Sequence, residues 1–377
     1  MPGPLKGTRV IEIAGIGPAP FCAMLLADMG ADVIRIERKG ERPRAGSGTA
    51  DVLQRGRRSI ALDLKRPGAC AVVLKLAEQS HMLLEGFRPG VMERLGLGPD
   101  TCFDRNPALV YGRMTGWGQN GPWAQRAGHD IDYLAISGAL HAMGDADRPP
   151  MPPLNLVADN GGGGLLLAFG MVCATLEAQR TGRGQVVDAA MSDGSALLMS
   201  MLYGYLAMGR WKAERGANFL DGSAPFYRCY RCADGKWLAV GAIEEPFYRE
   251  LLRRCGLPES LVGTRWDEQS WPETGRLFEA TFLTRTRDEW CELLCGGDTC
   301  VAPVLDMNEA PSFAQNVARG TFVEIDGVIQ PAPAPRMSMT PGQAGRIAAP
   351  GEHTLSILAD LGFSETEVDQ LHADGAW

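Results

Sequence analysis

The sequence lacks several features that would place the protein in a membrane or an organelle. No apolar run reaches the length needed to span a bilayer. Residues 1–6 do not form a signal peptide, and residues 374–377 do not end in a peroxisomal targeting tripeptide. We therefore expect a cytoplasmic protein that has no membrane partner.

A disulfide scaffold and an excess of positive charge are also missing. The ten cysteines are scattered along the chain, which favours buried thiols in a reducing compartment. Cys229 and Cys232 are spaced as CxxC, but no second pair stands at zinc spacing, and on a strand the two would face opposite sides. The net charge of −8 argues against general nucleic-acid binding. We expect neither a metal site nor a nucleic-acid partner.

What is present is the composition of a globular protein in a long chain. With 377 residues, 45% of them hydrophobic and 22% charged, the chain can form two domains with separate cores. Runs rich in β-branched residues alternate with helical patterns, which predicts an α/β fold with a parallel sheet. Strands are expected at 9–14, 33–37, 59–64, 81–85, 109–115 and 186–191, and helices at 20–29, 69–79 and 193–209.

The pattern changes at Ala224, where a β-hairpin with a turn at 233–236 begins. Helices are expected from about Glu244, at 273–282, 287–295 and 309–318, together with a strand at 301–305, which describes a smaller α+β domain. The Pro- and Ala-rich residues 331–350 cannot form regular structure throughout, and two short helices should follow at 353–361 and 365–373. The predicted organisation is a large domain at 1–209, a linker at 210–223, a small domain at 224–315, a return linker at 316–350 and C-terminal helices at 351–377.

A dinucleotide-binding fingerprint is only partly present after the first strand. Gly15 and Gly17 give the first two glycines, and Glu37 stands where an acidic residue is expected. The third glycine position holds Pro20, and basic residues follow Glu37 directly. A nicotinamide dinucleotide is therefore not the expected ligand.

Positive charge is concentrated in residues 35–66, within a chain that is negative as a whole. Four acidic residues there face ten basic ones: Arg35, Arg38, Lys39, Arg42, Arg44, Arg55, Arg57, Arg58, Lys65 and Arg66. A solvated basic face would explain such a cluster. The charges also fall in loops at strand ends, where open α/β sheets bind ligands, and would suit a small polyanion with several phosphates.

His129 and Asp159 are the clearest candidates for acid/base chemistry. Each is predicted in a loop just before an apolar run of helical period. The positive end of a helix dipole favours a neutral imidazole and an ionised carboxylate, so both could accept protons. Removing a proton from either face of one carbon needs two such bases. The alternative is that His129 only starts a helix and Asp159 only caps one.

Several motifs resemble the family III CoA-transferase superfamily and, within it, the α-methylacyl-CoA racemases. They are residues 4–10 (PLKGTRV), 30–37 (GADVIRIE), 85–90 (EGFRPG), 115–122 (TGWGQNGP), 351–354 (GEHT) and 361–364 (LGFS). At the segment Gly128-His129-Asp130, transferases usually carry a non-ionisable residue in place of His129. Residues 152–159 (PPLNLVAD) also resemble the racemase form.

The resemblance implies a racemase of lipid metabolism that inverts the α-carbon of 2-methyl-branched acyl-CoA thioesters. His129 and Asp159 would be the two acid/base groups, Glu244 would support them, and Asp130 would be a further candidate base. The CoA moiety belongs to the substrate, and no other cofactor is implied. The implied ligand contacts, with the last two at the thioester, are Ile16, Arg38, Leu62, Asp63, Leu64, Lys65, Gly86, Phe87, Arg88, Arg94, Gly128 and Tyr133. In the family, two chains interlock as a dimer, and each active site lies between the large domain of one chain and the small domain of the other.

The predicted reaction also needs donors that stabilise an enolate-like state, and burial or a neighbouring carboxylate such as Glu244 that raises the pKa of Asp159. The helix start at Asp130 and the glycines 161–164 are candidates for the donors. The main alternative is a CoA-transferase in which Asp159 is a nucleophile. A non-catalytic acyl-CoA-binding protein is a third possibility. Branched fatty, sterol-derived and arylpropionyl acyl groups are all compatible with the sequence.

Overall fold

The computed structural model describes residues 3–40 and 50–377. The strands of these residues lie close to the predicted ranges, with one additional hairpin near the C-terminus. They are β1 (Arg9–Ile13), β2 (Asp32–Arg38), β3 (Arg57–Leu62), β4 (Met82–Glu85), β5 (Val110–Thr115), β6 (Val186–Ala190), β7 (Tyr227–Arg231), β8 (Trp237–Gly241), β9 (Val301–Val304), β10 (Phe322–Ile325) and β11 (Val328–Pro331).

The helices also follow the predicted pattern, although several are shorter. They are α1 (Pro18–Asp28), α2 (Pro67–Glu78), α3 (Val91–Arg94), α4 (Pro99–Arg105), α5 (Asp130–Ser137), α6 (Leu166–Thr181), α7 (Met191–Leu198), α8 (Ser200–Ala207), α9 (Glu245–Cys255), α10 (Trp271–Phe282), α11 (Arg287–Leu294), α12 (Ala314–Arg319), α13 (Thr354–Asp360) and α14 (Glu365–Ala373). A π-helical segment, Leu156–Leu165, runs directly into α6. Proline at the first turn of α1 and α2 fixes where these helices begin.

Three differences from the prediction have local causes. The single helix expected at 193–209 is two helices, α7 and α8, and the helix expected at 309–318 is a 3₁₀ turn followed by α12. The hairpin of β10 and β11 was not predicted. Its turn contains Asp326 and Gly327, with φ of 51° and 77°, and Asp-Gly is a common signal for such a turn.

The large sheet is parallel and has six strands in the order β3-β2-β1-β4-β5-β6. Helices cover both faces, and for this reason β4 and β5 are buried along their whole length. The strand order reverses between β1 and β4: the chain adds β2 and β3 on one side of β1, and β4, β5 and β6 on the other. Ligands of open α/β sheets bind at such a switch point, beyond the carboxyl ends of the strands. The predicted parallel α/β domain is therefore confirmed.

Buried ion pairs join the strands of this sheet. Glu12 is fully buried on β1 and accepts hydrogen bonds from Arg35 on β2 and Arg57 on β3. At the end of α1, Asp28 pairs with Arg55 at 2.5 Å. Arg55 also donates to the side chain of Gln330 at 2.9 Å, which fastens the β10–β11 hairpin. These arginines belong to the interior of the sheet.

The continuous helix from Leu156 to Thr181 is, by length and composition alone, able to cross a membrane. The sequence-based statement that no apolar run reaches such a length is wrong for this helix. Half of its most apolar window is buried, and its glycines pack against α1 and α7. A core helix of a folded domain has the same properties, so this feature is weak evidence for a membrane span.

The chain divides into two compact units, and their boundaries differ from the predicted domains. The first unit comprises residues 1–137, 154–198 and 314–377, and the second comprises 138–153 and 199–313. The predicted linker at 210–223 belongs to the second unit, where Arg215 donates to the carbonyl oxygens of His141, Asp145 and Arg148 at 2.6–3.1 Å. These contacts between distant segments explain why sequence patterns misplaced the boundary.

The second unit is built on the antiparallel sheet β7-β8-β9. Helices α9, α10 and α11 contribute to an aromatic core, and the largest fully buried side chains there are Phe226, Tyr230, Tyr248, Phe278 and Phe282. Thr286 and Glu289 form a capping box that fixes the start of α11. The predicted hairpin and the α+β character of this unit are confirmed.

Candidate active site

Most of the predicted ligand contacts lie at the carboxyl edge of the large sheet. Ile16 stands exposed in the turn after β1, Arg38 is the last residue of β2, and Gly86 begins the loop after β4. In the register of the sheet, Arg38 lies beside Leu62, the last residue of β3. The parallel topology brings these distant segments to one edge.

Four of the predicted contacts are cations that are exposed at this edge or in the loops that follow it: Arg38, Lys65, Arg88 and Arg94. None of the four forms a salt bridge with another residue in the described ranges 3–40 and 50–377. Arg94 lies on α3 and folds back over Gly90, where an added Cβ would be 3.3 Å from its Nη1. Unpaired cations in this position can bind an anionic ligand.

The basic stretch at 35–66 is only partly available for binding. Five of its arginines pair with carboxylates of the first unit: Arg35, Arg55, Arg57, Arg58 and Arg66. Arg42 and Arg44 lie outside the described residues. The count of basic residues therefore overestimated the exposed charge, because sequence does not distinguish a buried ion pair from a surface cation.

The side chains of the other predicted contacts near β3 and β4 pack in the hydrophobic core or bond to neighbouring main-chain groups. Leu62 is buried in the core, and Leu64 and Phe87 pack against it. The carboxylate of Asp63 accepts the N–H of Lys65 at 3.1 Å. A ligand at these positions would meet mainly main-chain atoms.

His129 lies in a tight turn immediately before α5, and its side chain is exposed. Its N–H donates to the Asp132 carboxylate at 2.9 Å, and its carbonyl oxygen accepts the N–H of Asp132 at 2.9 Å. These bonds fix the main chain and leave the imidazole directed away from the core. The predicted helix start at this position is confirmed.

Aromatic side chains hold the residues around His129. The Tyr133 hydroxyl donates to the carbonyl oxygen of Gly128 at 2.5 Å, and its ring packs edge-on against Trp117. A Cβ on Gly128 would come within 2.8 Å of both rings. Glycine is therefore required at 128. Trp117 was noted only as part of a motif, and its supporting role could not be seen from spacing.

The sequence predicted that Asp159 lies in a loop before a helix. In the structure it lies inside the π-helical segment. In this segment the N–H of Asn160 donates to the carbonyl oxygen of Asn155 at 3.3 Å, five residues earlier. The Asp159 carboxylate accepts a 3.4 Å hydrogen bond from the Asn155 amide and faces Gly17, where an added Cβ would lie 3.8 Å from Oδ2. Rare π-helical turns are often found at functional sites.

Asp130 connects the His129 turn to the Asp159 segment. It is the first residue of α5, it is buried, and its Oδ2 accepts the N–H groups of Ala158 at 2.9 Å and Asp159 at 2.8 Å. Its Oδ1 is buried and has no hydrogen-bond partner among the described residues. This carboxylate thus places Asp159 relative to His129.

Asp159 and the His129 turn are linked through Asp130, which follows His129 in the chain and accepts the N–H of Asp159 at 2.8 Å. Burial raises the pKa of Asp159, the Asn155 amide opposes this, and the Asp130 carboxylate raises the pKa further. A positive charge on His129 lowers the pKa of Asp159. Asp130 is thus a neighbouring carboxylate with the effect that the sequence analysis expected of Glu244.

The charge on Asp159 also reaches Tyr133. Burial, followed by Asp159, raises the pKa of Tyr133 to about 12, while the positive charge of Arg88 opposes the shift. Tyr133 is therefore neutral near pH 7, and its hydroxyl donates a hydrogen bond to the carbonyl oxygen of Gly128.

The glycines after Asp159 serve packing. A Cβ on Gly164 would lie 2.6 Å from the carbonyl oxygen of Pro18, and one on Gly162 would lie 2.8 Å from the backbone of Gly194. These glycines let the π-helical segment contact the backbones of α1 and α7. The expectation that this run supplies donors to an enolate is not supported, because three of its four residues are buried between helices.

Glu244 lies in the second unit, immediately before α9, with an exposed side chain. Its negative charge contributes to a raised pKa of Cys300, after the larger effect of burial. Cys229 is exposed on β7 and Cys232 is buried just beyond it.

Comparison with known proteins agrees with this arrangement. The model of CoA-transferase family III matches residues 5–354. The chain belongs to CoA-transferase family III. It is 46% identical to the α-methylacyl-CoA racemase of Mus musculus and 44% identical to that of Homo sapiens, in each case over 98% of this chain and 96% of the relative.

Structures of CoA-transferase family III proteins share the fold. A CAIB/BAIF family protein from Brucella suis superposes with a TM-score of 0.80 at 25% identity, over 96% of this chain and 100% of the other. The family that the motifs indicated is thus confirmed, as is the mixed α/β fold. Family membership alone does not separate a racemase from a transferase.

Glu85 belongs to one of the motifs that indicated the family, residues 85–90, but the sequence assigned it no role. Glu85, at the end of β4, is buried and accepts the N–H of Phe87 at 2.6 Å. Its neighbour Arg113 on β5 lies 3.6 Å away. A carboxylate at a predicted strand end, three residues before Arg88, was the available signal.

Proposed function

We propose that this protein is a racemase that inverts the α-carbon of 2-methyl-branched acyl-CoA thioesters by two-base proton transfer. The relatives from mouse and human that are 46% and 44% identical are named α-methylacyl-CoA racemases. The observation that carries the proposal is the pairing of His129 with a half-buried Asp159 whose pKa is raised. One group removes the α-proton and the other returns a proton from the opposite face.

The raised pKa of Asp159 is what the two directions of the reaction require. An ordinary carboxylate is too weakly basic to hold the proton that it must later donate. Burial and the charge of Asp130 both favour the protonated form, so Asp159 can act as an acid in one direction. Its position facing the N-terminal turn of α1 favours the ionised form, and this keeps it available as a base in the other direction.

Asp130 acts through Asp159 rather than on the substrate. Both N–H groups that it accepts belong to the segment that carries Asp159. We therefore assign it a positioning and electrostatic role in place of the further candidate base. Glu244 keeps the supporting role that the family resemblance implies, and loss of turnover in Glu244→Gln with unchanged substrate binding would test it.

Substrate binding is proposed at the carboxyl edge of the sheet. The phosphates of the CoA moiety would contact Arg38, Lys65, Arg88 and Arg94, and the thioester would lie near Ile16, Gly128 and Tyr133. The exposed, unpaired cations and the switch point of the sheet support this placement. Apart from the CoA moiety of the substrate, no cofactor is proposed.

We also propose a cytoplasmic homodimer, interlocked as in the family resemblance, without a membrane partner. Apolar side chains along one face of the long helix support a protein partner: Leu165, Phe169 and Leu176 are 56%, 66% and 62% exposed. Side chains of this size are usually covered in the working assembly. Interlocked chains should remain dimeric at high dilution in analytical ultracentrifugation, because separating them requires unfolding. A freely reversible monomer–dimer equilibrium at micromolar concentration would contradict the interlocked dimer, and binding to lipid vesicles would contradict a protein cover.

Isotope exchange tests the reaction directly. A single enantiomer of a 2-methylacyl-CoA, incubated in deuterated water, should incorporate deuterium at the α-carbon and lose its optical purity. In the transferase alternative, the Asp159 carboxylate attacks the thioester carbonyl to form an acyl anhydride and releases the CoA thiolate, which then forms a thioester with Asp159 as the original acid leaves. A second acid finally takes the CoA and becomes the new thioester. Transfer of CoA to an added carboxylic acid, without α-deuterium, would overturn the racemase proposal. Binding without any turnover would support the third possibility, a purely acyl-CoA-binding protein.

A further inference from the structure

Glu85 lies beneath the loop that carries two of the proposed CoA contacts. It is the last residue of β4 and only 3% exposed, and its carboxylate accepts the N–H of Phe87 at 2.6 Å. Phe87 stands between Gly86 and Arg88, so this short hydrogen bond fixes the main chain next to Arg88. Arg88 in turn lies close enough to influence Tyr133.

Arg113 extends this anchor to two neighbouring segments. It is the register partner of Glu85 on β5, and its Nε lies 3.6 Å from the Glu85 carboxylate. The same guanidinium binds Glu93 on α3, the residue before Arg94. It also donates to the side chain of Gln119 at 2.9 Å, in the loop after β5. One arginine therefore ties together Glu85, α3 and the loop after β5.

This cluster is poorly explained as a device for stability. Burial raises the pKa of Glu85 to about 7, the Phe87 N–H and Arg113 oppose the shift, and Glu93 and Asp188 add to it. The remaining titratable neighbour, Tyr111, has its own pKa raised by burial and by Glu85. Nε of Arg113 and Nε2 of Gln119 are buried and have no hydrogen-bond partner in the described part of the chain.

The direction of the shift decides what Glu85 does for folding. A carboxyl whose pKa is higher in the folded chain stabilises the fold most in acid. That contribution is lost as the pH rises from about 4.5 to about 7. Near neutral pH the charged form is therefore a cost to the fold. Because the Glu85 carboxylate lies next to the loop that is proposed to bind the substrate, we infer that it has a role in binding.

We propose that Glu85 is a positioning residue whose carboxylate, through Phe87 and Arg113, holds Arg88 and Arg94 in place for the CoA phosphates. When Glu85 takes up a proton, Arg113 keeps only Glu93 as an anionic partner, and the loop loses its charged acceptor. CoA affinity should then fall as the pH drops through the neutral range. This inference rests on the proposed binding of CoA at the carboxyl edge.

The experiment measures the dissociation constant of coenzyme A by calorimetry at pH 6 and pH 8, for the unaltered protein and for Glu85→Gln. At pH 8 the variant should bind roughly tenfold more weakly, as expected from one weakened hydrogen bond to a charged group. At pH 6 the two proteins should bind alike. Taking the ratio of the two constants removes the titration of the ligand's own phosphates, which both proteins share.

The positioning role predicts that the melting temperature of Glu85→Gln at pH 8 does not fall, and that KM for the acyl-CoA rises while kcat is retained. A merely structural role predicts instead that any loss of affinity follows a loss of stability. Glu85→Asp keeps the charge next to Arg113 and should recover part of the affinity and of its pH dependence. A ratio of one at both pH values, or a loss of affinity that follows a loss of stability, would overturn the inference.

Asp28→Asn is the matched control. Asp28 is also buried, is paired with one arginine and has a pKa raised by burial, but it lies at the end of α1, away from the loops. It should lower stability and leave the pH dependence of CoA binding unchanged. If the unaltered protein binds no CoA, the proposed function fails together with this inference. If it binds CoA and Glu85→Gln matches it throughout, only the inference fails.

Discussion

Two regions of the first unit use charged side chains in opposite ways. Inside the sheet, Glu12 is fully buried and satisfied by Arg35 and Arg57, and Asp28 is satisfied by Arg55. At the carboxyl edge, Asp159 has no arginine partner among its described hydrogen bonds, and the nearby cations are exposed. Opposite charges are paired in the interior, whereas Asp159 and the exposed cations of the edge form no salt bridge with one another in the described residues.

The difference explains which charges contribute to the fold and which are free to act. A buried ion pair is costly to break because its partner is left as an uncompensated charge. A half-buried carboxylate without a cationic partner keeps a raised pKa and can exchange protons. Substitutions in the interior should therefore change stability, whereas those at the edge should change activity or binding.

The largest effect is expected from the acid/base pair. His129→Ala and Asp159→Ala should each lower net inversion by about a hundred- to ten-thousand-fold, because each removes one positioned base. Melting temperatures should stay close to that of the unaltered protein, since His129 is exposed and Asp159 forms no ion pair with another described residue. Chiral analysis of the products and thermal melts measure the two quantities.

Deuterium exchange separates the two faces. In His129→Ala, Asp159 can still exchange the proton of the enantiomer that it faces, without inversion, and in Asp159→Ala the preference should reverse. Equal loss of exchange for both enantiomers in both variants would show that one residue is structural. The assignment of His129 and Asp159 to opposite faces of the α-carbon would then be wrong.

The second effect concerns the interior. Arg55→Met should lower the free energy of unfolding by about 3–5 kcal/mol, the usual cost of leaving one member of a buried ion pair without its partner. It would leave Asp28 and Gln330 unsatisfied. Denaturant unfolding measures the loss, and kcat of the folded fraction should be unchanged. Arg38→Met, at the exposed edge, is the control and should change stability by less than about 0.5 kcal/mol.

A smaller effect is expected at the cationic edge. Arg38→Ala should raise KM for the acyl-CoA about tenfold while leaving kcat nearly unchanged, because a phosphate contact is the same in the ground and transition states. Higher ionic strength should weaken binding in the same sense. A lowered kcat with an unchanged KM would instead place Arg38 outside the binding surface.

The smallest effect should be a displacement of the pH profile. Removing the negative charge in Asp130→Asn lowers the pKa of Asp159, since the Asp130 carboxylate raises it. The acid limb of kcat/KM, for the direction in which Asp159 is the base, should then move to lower pH. Asparagine can still accept the N–H groups of Ala158 and Asp159, so the geometry is preserved. A shift to higher pH would contradict the assigned electrostatic role.

Local sequence signals were sufficient for much of this protein. The alternation of β-branched runs and helical periods identified the parallel sheet, because both periods are properties of consecutive residues. Motifs such as residues 85–90 identified the family, which the match to residues 5–354 confirms. His129 and Asp159 could be selected as candidates because their residue types and positions before apolar helical runs are visible in one dimension.

Properties that depend on distant partners could not be read in this way. Arg35 and Arg57 looked like surface cations until the fold brought both of them to the buried Glu12 carboxylate. The glycines 161–164 looked like donors until Pro18 and Gly194 came into contact with them. The role of Glu85 needed Arg113, 28 positions along the chain but next to it in the register of the sheet.

The sequence by itself determined most of the secondary structure, the family and the choice of the two candidate bases. Only the tertiary structure decided that Asp159 lies in a π-helical turn, near His129 and held by Asp130. The physical reason is that residue type fixes which protons a side chain can exchange. Burial and neighbouring charge fix its pKa, and both are set by segments that meet only when the chain folds.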